Sequence, residues 1–164
     1  MLITPTRAII LFAHGSSSPT WREPFDAIAQ RVRILAPDAR VELAFLEIMS
    51  PNVHEVVRQY AEQGIHHIRI VPLFFGVGKH VAEDLQGLVE AIRAEFVEIA
   101  IEIAPAVAQT LLDKGFDGDT PVVMVFGASW ADEAVVRLDL TRMASNDFAQ
   151  PETDAPCIIL VGKG

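Results

Sequence analysis

The chain has 164 residues, 51% of them hydrophobic, with 13 Lys and Arg against 22 Asp and Glu and a formal net charge of −9. This length fits one domain, or one domain plus a fragment, with a core of its own. The acidic balance speaks against nucleic acid as a partner, no apolar run approaches the roughly 18–20 residues that cross a bilayer, and the single cysteine, Cys157, excludes a disulfide framework, a Cys-type zinc site and an Fe–S cluster.

The amino terminus, MLITPTRAIILFAHG, lacks a small-residue cleavage site and reads as a first strand over residues 8–13, so the expected location is cytoplasmic. The strand ends at His14-Gly15, and the serines at 16–18 with Pro19 form a loop. Thr20-Trp21-Arg22-Glu23 has the spacing of a capping box, which predicts a helix from about Trp21 with Pro24 in its first turn. Phe25, Ile28, Ala29, Val32 and Leu35 give that helix one apolar face. Residues 41–48 form a second strand. Ser50-Pro51 predicts a second helix, capped by Ser50, with Val53, Val56, Val57, Tyr60 and Ala61 buried and Gly64 at its end.

The segment IRIVPLFFGVGKHVAEDL, residues 68–85, is the most informative in the chain. It reads as a strand buried on both faces, a glycine loop at 76–79 and a helix opening at His80. Val81, Leu85, Leu88, Ile92 and Phe96 make the buried stripe of that helix. A fourth strand follows at 98–103. Strand and helix thus alternate three times, which predicts an α/β fold: a three-layer sandwich with a mostly parallel central sheet of four to six strands and helices on both faces. Residues 1–105 form its core. Residues 106–164 are expected either to continue the same domain or to begin a second half. They hold a short helix at 107–112, a strand at 121–126, a helix at 130–143 capped by Ser129, a polar loop and a last strand at 157–161. The end IILVGKG echoes IILFAHG at 9–15.

His14, Glu47 and His80 stand out because each lies at or just beyond the end of one of the first three strands, at equal intervals along the chain. A parallel sheet brings such strand ends to one edge, where open α/β sheets gather their ligands. Two imidazoles and a carboxylate suit a divalent transition metal, and the same imidazoles can accept protons near neutral pH. Glu47 follows Phe45-Leu46, where an unpaired carboxylate is costly, so it needs a partner or a metal. Lys79 and Arg22 are candidate anchors for substrate carboxylates. Ser16 belongs to a loop that can hold an anion with backbone donors. Phe75, with Phe74, is placed to stack on a flat ligand, and Gly76 and Gly78 belong to the loop that lets a ligand approach the backbone. His54, His66 and His67 read as solvated surface. No G-x-S-x-G nucleophile elbow is present, which speaks against a hydrolase.

HGSSSP at 14–19, WREPF at 21–25, ELAFLE at 42–47 and VPLFFGVGKHVAEDL at 71–85 together resemble the sirohydrochlorin chelatases, small class II chelatases of the cobalamin and siroheme pathways. The resemblance covers roughly residues 7–105. It implies ATP-independent insertion of Co²⁺ or Fe²⁺, or Ni²⁺ as in some relatives, into a sirohydrochlorin-type tetrapyrrole, with the metal as substrate and no organic cofactor. It places the two active-site histidines on His14 and His80 and the metal-binding glutamate on Glu47, and it makes a homodimer a further expectation. A metal or tetrapyrrole carrier using the same residues without turnover is the alternative.

Overall fold

The computed structural model describes residues 5–74, 79–129, 131–145, 147–149, 151 and 157–162, with the side chains of 79–82 and 157 outside that description. The chain divides into two compact units. The first takes Met1–Phe74 and Glu83–Pro105, the second Phe75–Ala82 and Ala106–Gly164.

The first unit is built on four strands: β1 (Arg7–Ala13), β2 (Ala39–Phe45), β3 (His67–Pro72) and β4 (Ala100–Ile103). They form one sheet in the order β2-β1-β3-β4, and every pairing is parallel. The helices are α1 (Glu23–Leu35), preceded by a 3-10 turn at Pro19–Arg22, α2 (Val53–Glu62) and α3 (Lys79–Glu95). Alternation along the strands sorts the side chains into two cores. Leu11, Ala13, Val41, Leu43 and Phe45 pack with Ala29, Phe25 and Val32 of α1. Ile10, Phe12, Ala44, Ile68 and Ile70 pack with Val53, Val56, Val57 and Tyr60 of α2 and with Leu85, Val89 and Ile92 of α3. Each large side chain fully removed from water here contributes about 1.5–3 kcal/mol of hydrophobic stabilisation. The expected three layers are present, with α1 on one face and α2 and α3 on the other.

This topology has a switch point. The chain leaves β1 toward one face of the sheet and leaves its neighbour β3 toward the other, so the carboxyl ends of β1 and β3 mark the point where the strand order reverses. Each outer edge of the sheet has one carbonyl engaged by a side chain. Arg33 donates from Nε and Nη2 to the Val41 carbonyl of β2, at 3.1 and 3.0 Å, and Arg93 donates to the Ile101 carbonyl of β4 at 2.6 Å. A guanidinium on an edge carbonyl blocks the pairing that an open edge invites.

Two helix starts differ from the expectation. Ser50 does not cap α2. Its cap is Asn52, whose Oδ1 accepts from the Glu55 N–H at 2.9 Å while Glu55 Oε2 accepts from the Asn52 N–H at 2.9 Å. Pro51 stays outside the helix because its carbonyl accepts from Phe45 N–H at 2.9 Å, carrying the β2 end across to the helix start. Thr20 makes no cap either: the 3-10 turn displaces the helix start to Glu23, and the Thr20 hydroxyl lies 3.3 Å from that of Ser18. The strand expected over 41–48 is found as Ala39–Phe45, and past Phe45 the chain leaves regular strand geometry although it stays hydrogen-bonded to the β1 end.

The second unit holds α4 (Val107–Asp113), β5 (Pro121–Phe126), β6 (Ala134–Asp139), α5 (Leu140–Ser145) and β7 (Cys157–Val161). Its sheet, in the order β6-β5-β7, is antiparallel throughout, and Ala108, Val122, Met124, Leu140 and Met143 are its core. The helix expected over 130–143 is replaced by β6 and the six-residue α5. Residues 134–139 read AVVRLD, and Val136 and Leu138 face the core while Val135 and Arg137 are exposed, a period of two that β-branched residues favour. Ser129 caps no helix: its own N–H donates to Glu133 Oε2 at 2.9 Å and closes a turn. Trp130 and most of the polar loop at 145–156 lie outside the described residues.

The capping correction is testable by urea denaturation. Asn52→Ala should cost about 1 kcal/mol, whereas Thr20→Ala should fall within about 0.5 kcal/mol of the unmodified chain.

Candidate functional site

The site begins where β1 and β2 stop being strands. Their ladder does not end at Ala13 and Phe45: the Leu46 N–H donates to the Ala13 carbonyl at 2.9 Å, and the Glu47 N–H donates to the His14 carbonyl at 3.0 Å. The two candidate side chains are therefore tied at the main chain. Their tips meet as well, with His14 Nδ1 3.5 Å from Glu47 Oε1. Both remain accessible, His14 at 46% and Glu47 at 55% of full side-chain exposure, so a ligand can reach them.

The residue after His14 is a glycine for a local reason. Gly15 has φ +103°, and a Cβ there would run into the main-chain oxygen of Glu47. Only glycine lets the two exits approach so closely. On the partner exit Ile48 has φ +65° and the Met49 N–H donates to the Glu47 carbonyl at 2.6 Å, a tight turn that ends β2 just past the carboxylate.

β3 supplies the other wall. The Leu73 N–H donates to the Phe12 carbonyl at 2.7 Å, continuing the β1–β3 ladder past Pro72. Phe74 then stands edge-on to Phe12, with ring centroids 5.5 Å apart, and to His14, with centroids 6.3 Å apart. His14 thus sits at the switch point with Glu47 on one neighbouring strand exit and Phe74 on the other. The remaining candidates after β3 are less visible. Phe75, Gly76 and Gly78 lie outside the described residues; Lys79 and His80 open α3, and their side chains are outside the description too. Among the described residues no group of three or more His, Cys, Asp and Glu is arranged to hold a metal.

Arg22, expected as an anchor for substrate carboxylates, already has a partner. Its Nε and Nη2 donate to the two Asp26 oxygens at 3.0 and 3.1 Å, and the guanidinium lies 5.3 Å from the centre of the Phe45 ring. The Arg22 hydrogen bond holds the Asp26 carboxyl below its usual range, and the same bond raises Arg22. Both are charged at neutral pH, so a substrate carboxylate at Arg22 competes with Asp26. Ser16 turns back on its own loop, its Oγ accepting from the Ser18 N–H at 3.1 Å. His66 and His67 are exposed at the amino end of β3, away from the site, as expected. His54 is more than surface: its Nε2 lies 2.6 Å from Glu95 Oε2 and ties α2 to the end of α3. A cavity of about 330 Å³ opens at the amino edge of the sheet, between the Arg7–Asp38 ion pair, His67, Arg69 and Glu102. It lies at the opposite end of the strands from His14.

Comparison with known proteins gives a family: the CbiX family model matches residues 8–111, a span that includes both strand exits and the start of α3. The chain belongs to the CbiX family. A sirohydrochlorin cobaltochelatase of Methanopyrus kandleri is 36% identical over 78 residues, 48% of this chain and 54% of the relative. A cobalamin (vitamin B12) biosynthesis CbiX protein of Marinobacter aquaeolei VT8 superposes with a TM-score of 0.57 at 28% identity, over 66% of this chain and 91% of that one. The sirohydrochlorin chelatase SirB of Bacillus subtilis subspecies spizizenii, solved in complex with cobalt, gives a TM-score of 0.56 at 20% identity, over 66% of this chain and 49% of that one, and shares the fold. The chain spans between about half and two thirds of the length of the first curated relatives it matches. Among the described residues no helix is long and apolar enough to cross a membrane.

The glycine argument has a direct test in denaturant unfolding. Gly15→Ala should cost about 3 kcal/mol or more, since it combines a disfavoured φ with a clash against main chain. Gly64→Ala, at φ +74° with open space around it, should cost only about 1–2 kcal/mol.

Proposed function

We propose that this CbiX-family chain is an ATP-independent sirohydrochlorin chelatase. It takes a divalent metal, Co²⁺ first and Fe²⁺ second, as substrate and inserts it into a sirohydrochlorin-type tetrapyrrole. The observation that carries the proposal is the His14–Glu47 pair, held 3.5 Å apart at the switch point of a parallel sheet within the span that the family model matches. The names of the relatives support the substrate and the metal.

Metal insertion exchanges two pyrrole N–H protons for one dication. The site therefore needs ligands for the metal and acceptors for two protons. In the proposal His14, Glu47 and His80 hold the incoming metal, and the two imidazoles take the protons as they leave the ring, a role that neutral histidine performs well near pH 7. The accessible His14 and Glu47 tips leave the open face that a flat macrocycle requires. Ser16, Arg22, Phe75, Gly76, Gly78 and Lys79 are the residues proposed to bind the macrocycle. The chemistry belongs to the strand–helix units between residues 14 and 80, and residues 106–164 contribute none of the three reacting side chains. A homodimer belongs to the same proposal.

Anaerobic metallation of sirohydrochlorin, followed by absorbance with Co²⁺ and Fe²⁺ in parallel, tests the proposal. The protein should exceed the spontaneous rate, and His14→Ala and His80→Ala should each lose about 10²–10⁴-fold of the acceleration. A protein that binds both substrates yet leaves the spontaneous rate unchanged is a carrier, and the proposal fails.

A further inference from the structure

Phe74 is the site neighbour to which the chemistry above gives no part. Its ring is held from the core side. Phe12, fully buried, meets it at 5.5 Å and 87°, and the Leu73 N–H bond to the Phe12 carbonyl fixes the main chain just before it. Toward the site the same ring meets the His14 imidazole at 6.3 Å and 84°. Both contacts have the perpendicular geometry and spacing that aromatic pairs prefer.

A half-exposed histidine after a strand end ordinarily samples several rotamers. His14 has two restraints. Glu47 engages one ring atom, Nδ1, and Phe74 engages the ring itself. A contact at one atom leaves the ring free to rock about it, and an edge-to-face contact removes that freedom. With Nδ1 turned to Glu47, Nε2 has no hydrogen-bonding partner among the described residues and is the nitrogen left to react.

We propose that Phe74 is a positioning residue of the chelatase site: it favours the orientation of the His14 imidazole that directs Nδ1 to Glu47 and leaves Nε2 to take the departing pyrrole proton. This rests on the reading of His14 as a reacting residue.

Two substitutions separate orientation from bulk. Phe74→Leu keeps an apolar filler without the ring, and Phe74→Tyr keeps the ring. Phe74→Leu should lower kcat for Co²⁺ insertion roughly tenfold or more, with KM for sirohydrochlorin changed by less than about twofold, because a misdirected base costs rate rather than binding. Phe74→Tyr should restore kcat to within about twofold of the unmodified protein. In the metal-free protein the His14 χ1 populations, read from three-bond couplings of resonances assigned by their loss in His14→Ala, should spread over several rotamers in Phe74→Leu and stay with one in Phe74→Tyr. A Phe74→Leu variant with unchanged kcat, or with an unchanged His14 rotamer distribution, overturns the proposal. If the unmodified protein shows no turnover, the chelatase reading fails on its own, and the rotamer populations alone decide: spread in Phe74→Leu, they support the orienting role, and unchanged, they end it.

Discussion

The site depends on one constraint: two strand exits hydrogen-bonded to each other beyond the end of their sheet. The ladder between β1 and β2 runs on through Leu46 to Ala13 and Glu47 to His14. That continuation places a histidine and a glutamate, far apart in sequence, within reach of each other. It also dictates the next residue, because the approach of the Glu47 carbonyl leaves no room for a side chain at Gly15. The motif His-Gly is therefore one structural statement. In the proposed site the histidine carries the chemistry, and the glycine makes room for the strand exit that carries the carboxylate.

Around that pair the fold sets the switch point of the sheet. Crossovers run to opposite faces after β1 and β3, and the His14 and Glu47 side chains stay about half exposed at the strand exits. Charge works against a polyanionic macrocycle across the chain as a whole, with a net of −9, and Arg22 does little to relieve it because Asp26 neutralises it in a bidentate pair. The acidic exterior favours the approach of a metal cation instead.

Most of the first unit was legible in the sequence because its signals are local. Runs such as AIILFA and IRIVP mark buried parallel strands, and the three- and four-residue steps of Val53, Val56, Val57 and Tyr60 mark a helix. The convergence of His14 and Glu47 was legible as well, since a parallel sheet turns equal spacing along the chain into a common edge. The helix caps were misread for an identifiable reason. Ser50-Pro51 looks like a helix start, but the Pro51 carbonyl is engaged by Phe45, and the competing Asn52–Glu55 box three residues apart was equally visible. Residues 134–139 were misread because AVVRLD is too short for its period to stand out beside a neighbouring helical segment. Contacts between side chains distant in the chain, such as Arg33 on Val41 or Phe74 on His14, carry no local signal and emerge only from the packing.

The central claim is that the pair at the β1 and β2 exits is half of a metal-holding site completed by His80. The most direct measurement is the anomalous scattering of cobalt in crystals of the protein soaked with Co²⁺. The proposed site requires one strong peak bonded to His14, Glu47 and His80, with Nδ1, the nitrogen that faces Glu47, as the ligating nitrogen of His14. A peak elsewhere, or a cobalt ion at His14 and Glu47 with His80 turned away, would contradict it.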